Sequence, residues 1–114
     1  MTILILEDNL MWSPRLAKTV RSLGHEAVVL THVPEVLPNA EVAILNLGNE
    51  KLSGPSVIHA LHEQGTKIIA HAGHKEKDLL EAGREHGCDL IVSNGSLTFK
   101  LDEHLAALAP IAGA

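Results

Sequence analysis

Two apolar runs in this chain of 114 residues end in side chains able to do chemistry. Residues 2–6 run into Glu7, Asp8 and Asn9, and residues 42–45 run into Asn46, with Gly48 and Asn49 just beyond. Adjacent carboxylates such as Glu7 and Asp8 suit a hard divalent cation, which draws on several oxygen ligands. The second run ends differently. A carboxylate can act as a nucleophile, whereas an amide oxygen at neutral pH is far weaker. Asn46 therefore sits where chemistry is expected and carries the wrong group for the commonest version of it.

Other candidates are scattered. His71 and His74 flank Gly73, and with Glu7 or Asp8 they would make a mixed nitrogen and oxygen set suited to zinc. His71 also lies inside an apolar run, where a buried, hydrogen-bonded histidine is the plainer expectation. His59 and His62, three apart, read equally as a polar helix face. The eight histidines also raise a pH response, since histidine titrates near neutrality. Cys88 lies two residues from His86, but no third group is placed to orient such a pair. HExxH, GxGxxG and GxxxxGK[ST] are all absent, so a zinc protease or a nucleotide enzyme is not supported.

The elements that must position these residues follow from hydrophobic period and turn signals. Strands are expected over 2–6, 25–30, 40–47, 67–72 and 89–92, and a continuous apolar run such as 42–45 suits a strand buried on both faces. Between them lie helical stripes. Leu16, Val20 and Leu23 form the first and Gly24 stops it; the start is either Ser13-Pro14 or nearer Leu10, which would bring Trp12 close to the acidic strand end. The segment 34–39 has room for a turn or so of helix at most. Gly54-Pro55 opens the next helix, with Val57, Ile58 and Leu61 inward and Gly65 at its end. A helix over 75–86 stops at Gly87. Leu97, Leu101, Leu105 and Leu108 predict a last helix over 97–108, ended by Pro110. This alternation calls for an α/β, flavodoxin-like fold: a five-stranded parallel sheet, order 2-1-3-4-5, with helices on both faces and helix two shortened. Strands one and three are then neighbours, and Glu7, Asp8 and Asn46 meet at the switch point.

Composition narrows the function. With one Trp, one Phe and no Tyr, the chain lacks a stacking surface for single strands, and a net charge of −5 without a basic run disfavours nucleic acid. No apolar run approaches the ~20 residues of a membrane span. Cys88 is the only cysteine, which points to a reducing cytoplasm. The length suits one domain, 1–114.

At this point a family resemblance enters. Ile3-Leu-Ile-Leu-Glu-Asp-Asn9 resembles the acidic strand end of response-regulator receiver domains. Leu23-Gly24-His25-Glu26 resembles their helix-one to strand-two junction, Gly54 the glycine eight residues after the phosphoacceptor, and Gly87-Cys88-Asp89 the turn into strand five. The resemblance implies that Glu7, Asp8 and the Gly48 carbonyl match Mg²⁺ ligands. It also implies that Asn46 stands at the phosphoacceptor aspartate, Ala72 (or its neighbour His71) at the hydroxyl of strand four, Asn94 (or Ser93) at the Lys of the Lys-Pro pair, and Ile91 (or Leu90) at the switch aromatic. The departures thus fall on the catalytic positions. Loss of the aspartate and the lysine together removes a buried pair of opposite charges, which strands less charge than losing either alone.

The expectation is a stand-alone pseudo-receiver: not an enzyme, needing no cofactor, with weak Mg²⁺ binding at most. It would regulate by protein–protein binding, to a partner or to a second copy of itself, without aspartyl phosphorylation. The alternative is a flavodoxin-like domain that binds a metal ion or small molecule at the crevice of strands one, three and four. The last helix and tail carry small apolar residues that cannot all face inward, so Ala107 and Ile111 mark the expected partner face.

Overall fold

The computed structural model describes residues 1–108. Strands β1 (Thr2–Leu6), β2 (Glu26–Leu30), β3 (Val42–Asn46), β4 (Lys67–Ala72) and β5 (Leu90–Ser93) form one parallel sheet in the order β2-β1-β3-β4-β5. That is the order the alternation predicts. The helical segments are α1 (Ser13–Ser22), α2 (Glu50–Ser53), α3 (Pro55–Glu63), α4 (Lys77–Glu85), α5 (Asn94–Phe99) and α6 (Leu101–Leu108).

Side chains alternate across a strand, and here both faces are covered. Ile3, Ile5, Val42, Ile44 and Ile69 pack under Leu16, Ala17 and Val20 of α1 and Leu97, Leu101 and Leu105 of α5 and α6. Leu4, Leu6, Ala43, Leu45 and Ile68 meet Leu52, Val57, Ile58 and Leu61 on the other face. Leu47, Ala70, Ala72 and Ile91 continue that second face beneath Leu79 and Leu80 of α4. Each fully buried Leu or Ile contributes about 1.5–3 kcal/mol relative to exposure. Gly83 of α4 is what lets that helix close: a Cβ there would lie 2.9 Å from Leu47 Cδ1.

Three details refine the expected elements. Between β2 and β3 there is no helix at all, so the shortening of helix two is complete; prolines 34 and 38 leave no room to propagate a turn. The extra short helix α2 precedes α3 instead. The last helix is longer at its start and is broken. Ser93 Oγ accepts the Ser96 N–H at 3.1 Å, an N-cap that starts α5 at Asn94 and not at Leu97. At Lys100 the backbone leaves the helix (φ −128°, ψ 26°), dividing α5 from α6 while the leucine stripe stays buried. Pro110 and Ile111, expected at the helix end and the partner face, lie outside the described residues.

Candidate functional site

The site lies off the carboxyl ends of β1, β3 and β4, where the chain turns left to β2 and right to β3, the position at which open α/β sheets bind ligands. Glu7, Asn46 and His71 continue the alternating positions that face α1, and His71 sits opposite Asn46 in the register. All three line one hollow of about 210 Å³ together with Asn9, Trp12 and Asn94. A wider hollow of about 730 Å³ lies over it, lined by Asp8, Gly48, Glu50, Lys51 and Glu76 as well as by Glu7 and Asn46.

Hydrogen bonds fix this cluster. Glu7 is 2% exposed. Its Oε1 accepts the Asn9 N–H at 3.1 Å and its Oε2 accepts from Asn46 Nδ2 at 3.0 Å, so both oxygens act as acceptors. The Asn46 amide is committed on its other side too, because Oδ1 accepts the Gly48 N–H at 2.9 Å. A Cβ on Gly48 would stand 3.2 Å from that oxygen, so a larger residue there would require the Asn46 side chain to shift by a few tenths of an ångström. Among the described residues no basic side chain comes within ion-pair distance of Glu7.

His71 is buried, and its Nδ1 lies 2.7 Å from Asn94 Oδ1. Burial lowers its pKa below the ordinary value of 6.5, partly offset by the bond to Asn94 and by the Glu7 charge, so the ring is held neutral. The Trp12 ring stands 6.3 Å from it, centroid to centroid. Trp12 Nε1 is buried with no hydrogen-bond partner.

The local sequence explains the turn that brings Trp12 here. Asn9 Oδ1 accepts the Met11 and Trp12 N–H groups at 2.9 and 3.0 Å, and the Asn9 carbonyl accepts those of Trp12 and Ser13. Asn9 therefore caps a turn that leads into α1, and Ser13 is buried as the first helical residue and caps nothing. Both expected starts hold a part of this: the helix proper begins at Ser13, and the turn before it carries Trp12 to the acidic strand end. An asparagine four residues ahead of Ser13-Pro14 was the signal that identifies the cap.

Of the positions singled out by sequence, Glu7, Asp8, Asn46, Gly48 and Asn94 do gather around the hollows. Ala72 and Ile91 do not; they pack in the layer beneath α4. The side chain that reaches the site from the end of β4 is His71. His74 is not joined to it in any metal set: among the described residues no group of three or more His, Cys, Asp or Glu is placed to hold a metal. His59 pairs with Glu63 at 3.0 Å on an exposed helix face. Cys88 is half-buried and its thiol is pushed up to about 11 by burial and by Asp89, which leaves it protonated and a poor nucleophile. Sequence reasoning left out Glu50 and Glu76, whose acidity at the rim becomes visible only once α2 and α4 are placed. It also left out the His71–Asn94 bond.

Comparison with known proteins bears on the fold. No protein-family model matches the sequence, and no curated protein matches it. Solved structures do. A two-component response regulator from Clostridium difficile superposes with a TM-score of 0.82 at 12% identity, over 100% of this chain and 99% of that one. A response regulator from Burkholderia pseudomallei, described with a phosphorylated aspartic acid, a calcium ion and citrate, gives 0.75 at 19% identity over 97% of this chain and 68% of that one. A protein from a family of streptococcal redox sensors evolved from two-component response regulators gives 0.75 at 12% identity, over 94% of this chain and 50% of that one. At these identities the likeness establishes the receiver fold.

Proposed function

We propose that this chain is a pseudo-receiver: a receiver-fold signalling module that acts by binding another protein and takes no phosphoryl group on aspartate. The observation that carries this is the Asn46 amide, spent on Glu7 through Nδ2 and on Gly48 through Oδ1. A nucleophile must offer a lone pair to phosphorus, with cations beside it to neutralise the transferred group. At this site the lone pairs belong to an amide, and the place of the family's lysine is taken by Asn94, which bonds His71. Ala72 offers a methyl group in place of a hydroxyl, and Ile91 has no ring to reorient. The streptococcal sensor offers a precedent for a fold of this kind put to another use.

The Mg²⁺ that the fold family implies does not fit the donor set well. Both Glu7 oxygens and the Asn46 oxygen already accept N–H donors, so Asp8 is the one uncommitted carboxylate of the expected set. Any Mg²⁺ there binds in about the millimolar range at best, and the proposed function needs none. Among the described residues no helix is long and apolar enough to cross a membrane. A cytoplasmic setting and a partner that is protein and not nucleic acid belong to the same proposal. Ala107, exposed on α6, remains a proposed contact for such a partner or for a second copy of the chain.

Intact-mass spectrometry after incubation with acetyl phosphate and Mg²⁺ tests the proposal. The mass should not change. A hydroxylamine-labile gain of one phosphoryl group would sink it. A second reading, a small molecule held at the same crevice, draws on the inner hollow and the unpartnered Trp12 Nε1. A metabolite screen by thermal shift would favour it if a hit lost its effect in Trp12→Phe, which removes that donor.

A further inference from the structure

We propose that the mouth of the wider hollow is the docking surface for a basic, apolar segment of a partner protein, with a Lys or Arg head group coming to rest over Glu7 and Asn46. This deepens the pseudo-receiver reading and rests on it, since a phosphorylated site would fill the same space.

The apolar part lies beside the hollow: Leu10 and Met11 follow Asn9 of its lining in the chain and are 79% and 75% exposed. Single exposed apolar residues are ordinary, but these two stand together on a turn that the Asn9 side chain holds rigid through the Met11 and Trp12 N–H groups. They are therefore presented at little entropic cost, and methionine adapts to varied apolar partners. The charge beside them decides what kind of partner fits. Glu7, Asp8, Glu50 and Glu76 line the hollow, against Lys51 as the lining cation.

Glu7 adds an independent reason. It is 2% exposed, and the donors that meet it are neutral. A buried carboxylate without a counter-charge is costly, and a cation that arrives with a partner relieves that cost. A hard metal ion needs several oxygen ligands together, and among the described residues no group of three or more His, Cys, Asp or Glu is placed to supply them. An ammonium or guanidinium is itself a donor. Each carboxylate oxygen has a second lone pair to offer it, so the existing bonds need not break. An acidic or neutral segment gains nothing from this site.

Trp12 is the chain's one tryptophan and lines the inner hollow, so its fluorescence reports occupancy. The probe is a short capped peptide of alternating leucine and arginine, compared with copies that carry glutamine or glutamate for arginine. The arginine peptide should shift Trp12 emission saturably and bind at least about tenfold more tightly than the glutamine copy, with loss of affinity at high salt. The double variant Leu10→Ser, Met11→Ser and, separately, Glu7→Gln should each weaken it at least about tenfold. Asp8→Asn, on an exposed side chain, should weaken it less. Circular-dichroism melts confirm that each variant is folded. Equal binding of the glutamine copy, normal binding by the double variant, or no binding of any peptide overturns the docking surface. So does loss of binding in Ala107→Glu with the mouth variants intact, which would move the interface to α6. None of these results bears on the mass-spectrometric test, so the two proposals fail separately.

Discussion

The two ends of the sheet treat a buried-side carboxylate in opposite ways. At the amino end, Asp89 accepts the Ile68 N–H at 2.8 Å and also has His62 Nε2 at 3.4 Å and Lys67 Nζ at 3.9 Å, with its side chain 25% exposed. At the carboxyl end, Glu7 is 2% exposed and has neutral donors only. Asp89 ties the starts of β4 and β5 together, has its own counter-charges and still reaches water. Glu7 is almost fully buried and, among the described residues, has no basic side chain within ion-pair distance. A charge in that position does little for stability, and its neighbours Asp8, Glu50 and Glu76 add to the negative field. The difference separates a carboxylate that ties two strands together from one that the proposed docking surface would use.

The largest way to break this contrast is to add a second charge beside the first. Asn46→Asp places a carboxylate about 3 Å from Glu7 in place of a hydrogen-bond donor. It should cost about 2–4 kcal/mol of stability in urea unfolding, with part recovered in millimolar Mg²⁺. A variant as stable as the parent without Mg²⁺ would mean that Glu7 is not an isolated charge. On the pseudo-receiver proposal, in which Asn94 and Ala72 stand in place of a lysine and a hydroxyl, the variant should also fall short of full phosphorylation.

Neutralising each carboxylate in turn sharpens the contrast. Asp89→Asn loses its attraction to Lys67 and His62 and should destabilise by about 1 kcal/mol. Glu7→Gln sheds the buried charge but keeps an acceptor for only one of its two donors, Asn46 Nδ2 or the Asn9 N–H, so the two effects offset and it should be close to neutral. Denaturant midpoints decide, and equal losses at both ends would erase the distinction.

A smaller effect concerns His71. Its folded pKa lies below the ordinary 6.5, so the unfolded chain takes up the proton first. The stability it contributes is complete above about pH 6.5 and is lost progressively as the pH falls below that value toward the lowered folded pKa. Melting temperature should therefore decline more steeply on acidification in the parent than in His71→Gln. Parallel profiles would show that the ring is not held neutral by burial. The smallest expected effect is at Cys88, where a thiol pushed up to about 11 should react with iodoacetamide at pH 8 far more slowly than free cysteine.

Much of this was legible in the sequence, for reasons that are local. Strand runs such as 3–6 and 42–45 are apolar throughout because both faces are covered, and Gly24, Gly65 and Gly87 stop their helices with φ of 88°, 83° and 85°, values only glycine adopts freely. Strand order follows from alternation and handedness, so the meeting of Glu7 with Asn46 was foreseeable. Side-chain direction was not. A shift of one residue along β4 exchanges the faces of the sheet, and the choice between Ala72 and His71 turned on that. Nor could the sequence show that Asn94 bonds His71, or that Glu50 and Glu76 rim the hollow, since these depend on how α2, α4 and α5 are set on the sheet. The break at Lys100 was hidden because the leucine period runs through it unbroken.

The most direct measurement uses Trp12 as a reporter at the site where phosphorylation would occur. Beryllofluoride, which mimics an aspartyl phosphate, is titrated with Mg²⁺ while Trp12 emission and backbone amide shifts around residues 46–49 are followed by fluorescence and NMR. A pseudo-receiver should show no saturable change beyond that of Mg²⁺ alone, because the Asn46 amide offers no carboxylate to bond beryllium. A saturable shift at Trp12 and at residues 46–49 that requires beryllofluoride would contradict the proposal and identify a working acceptor.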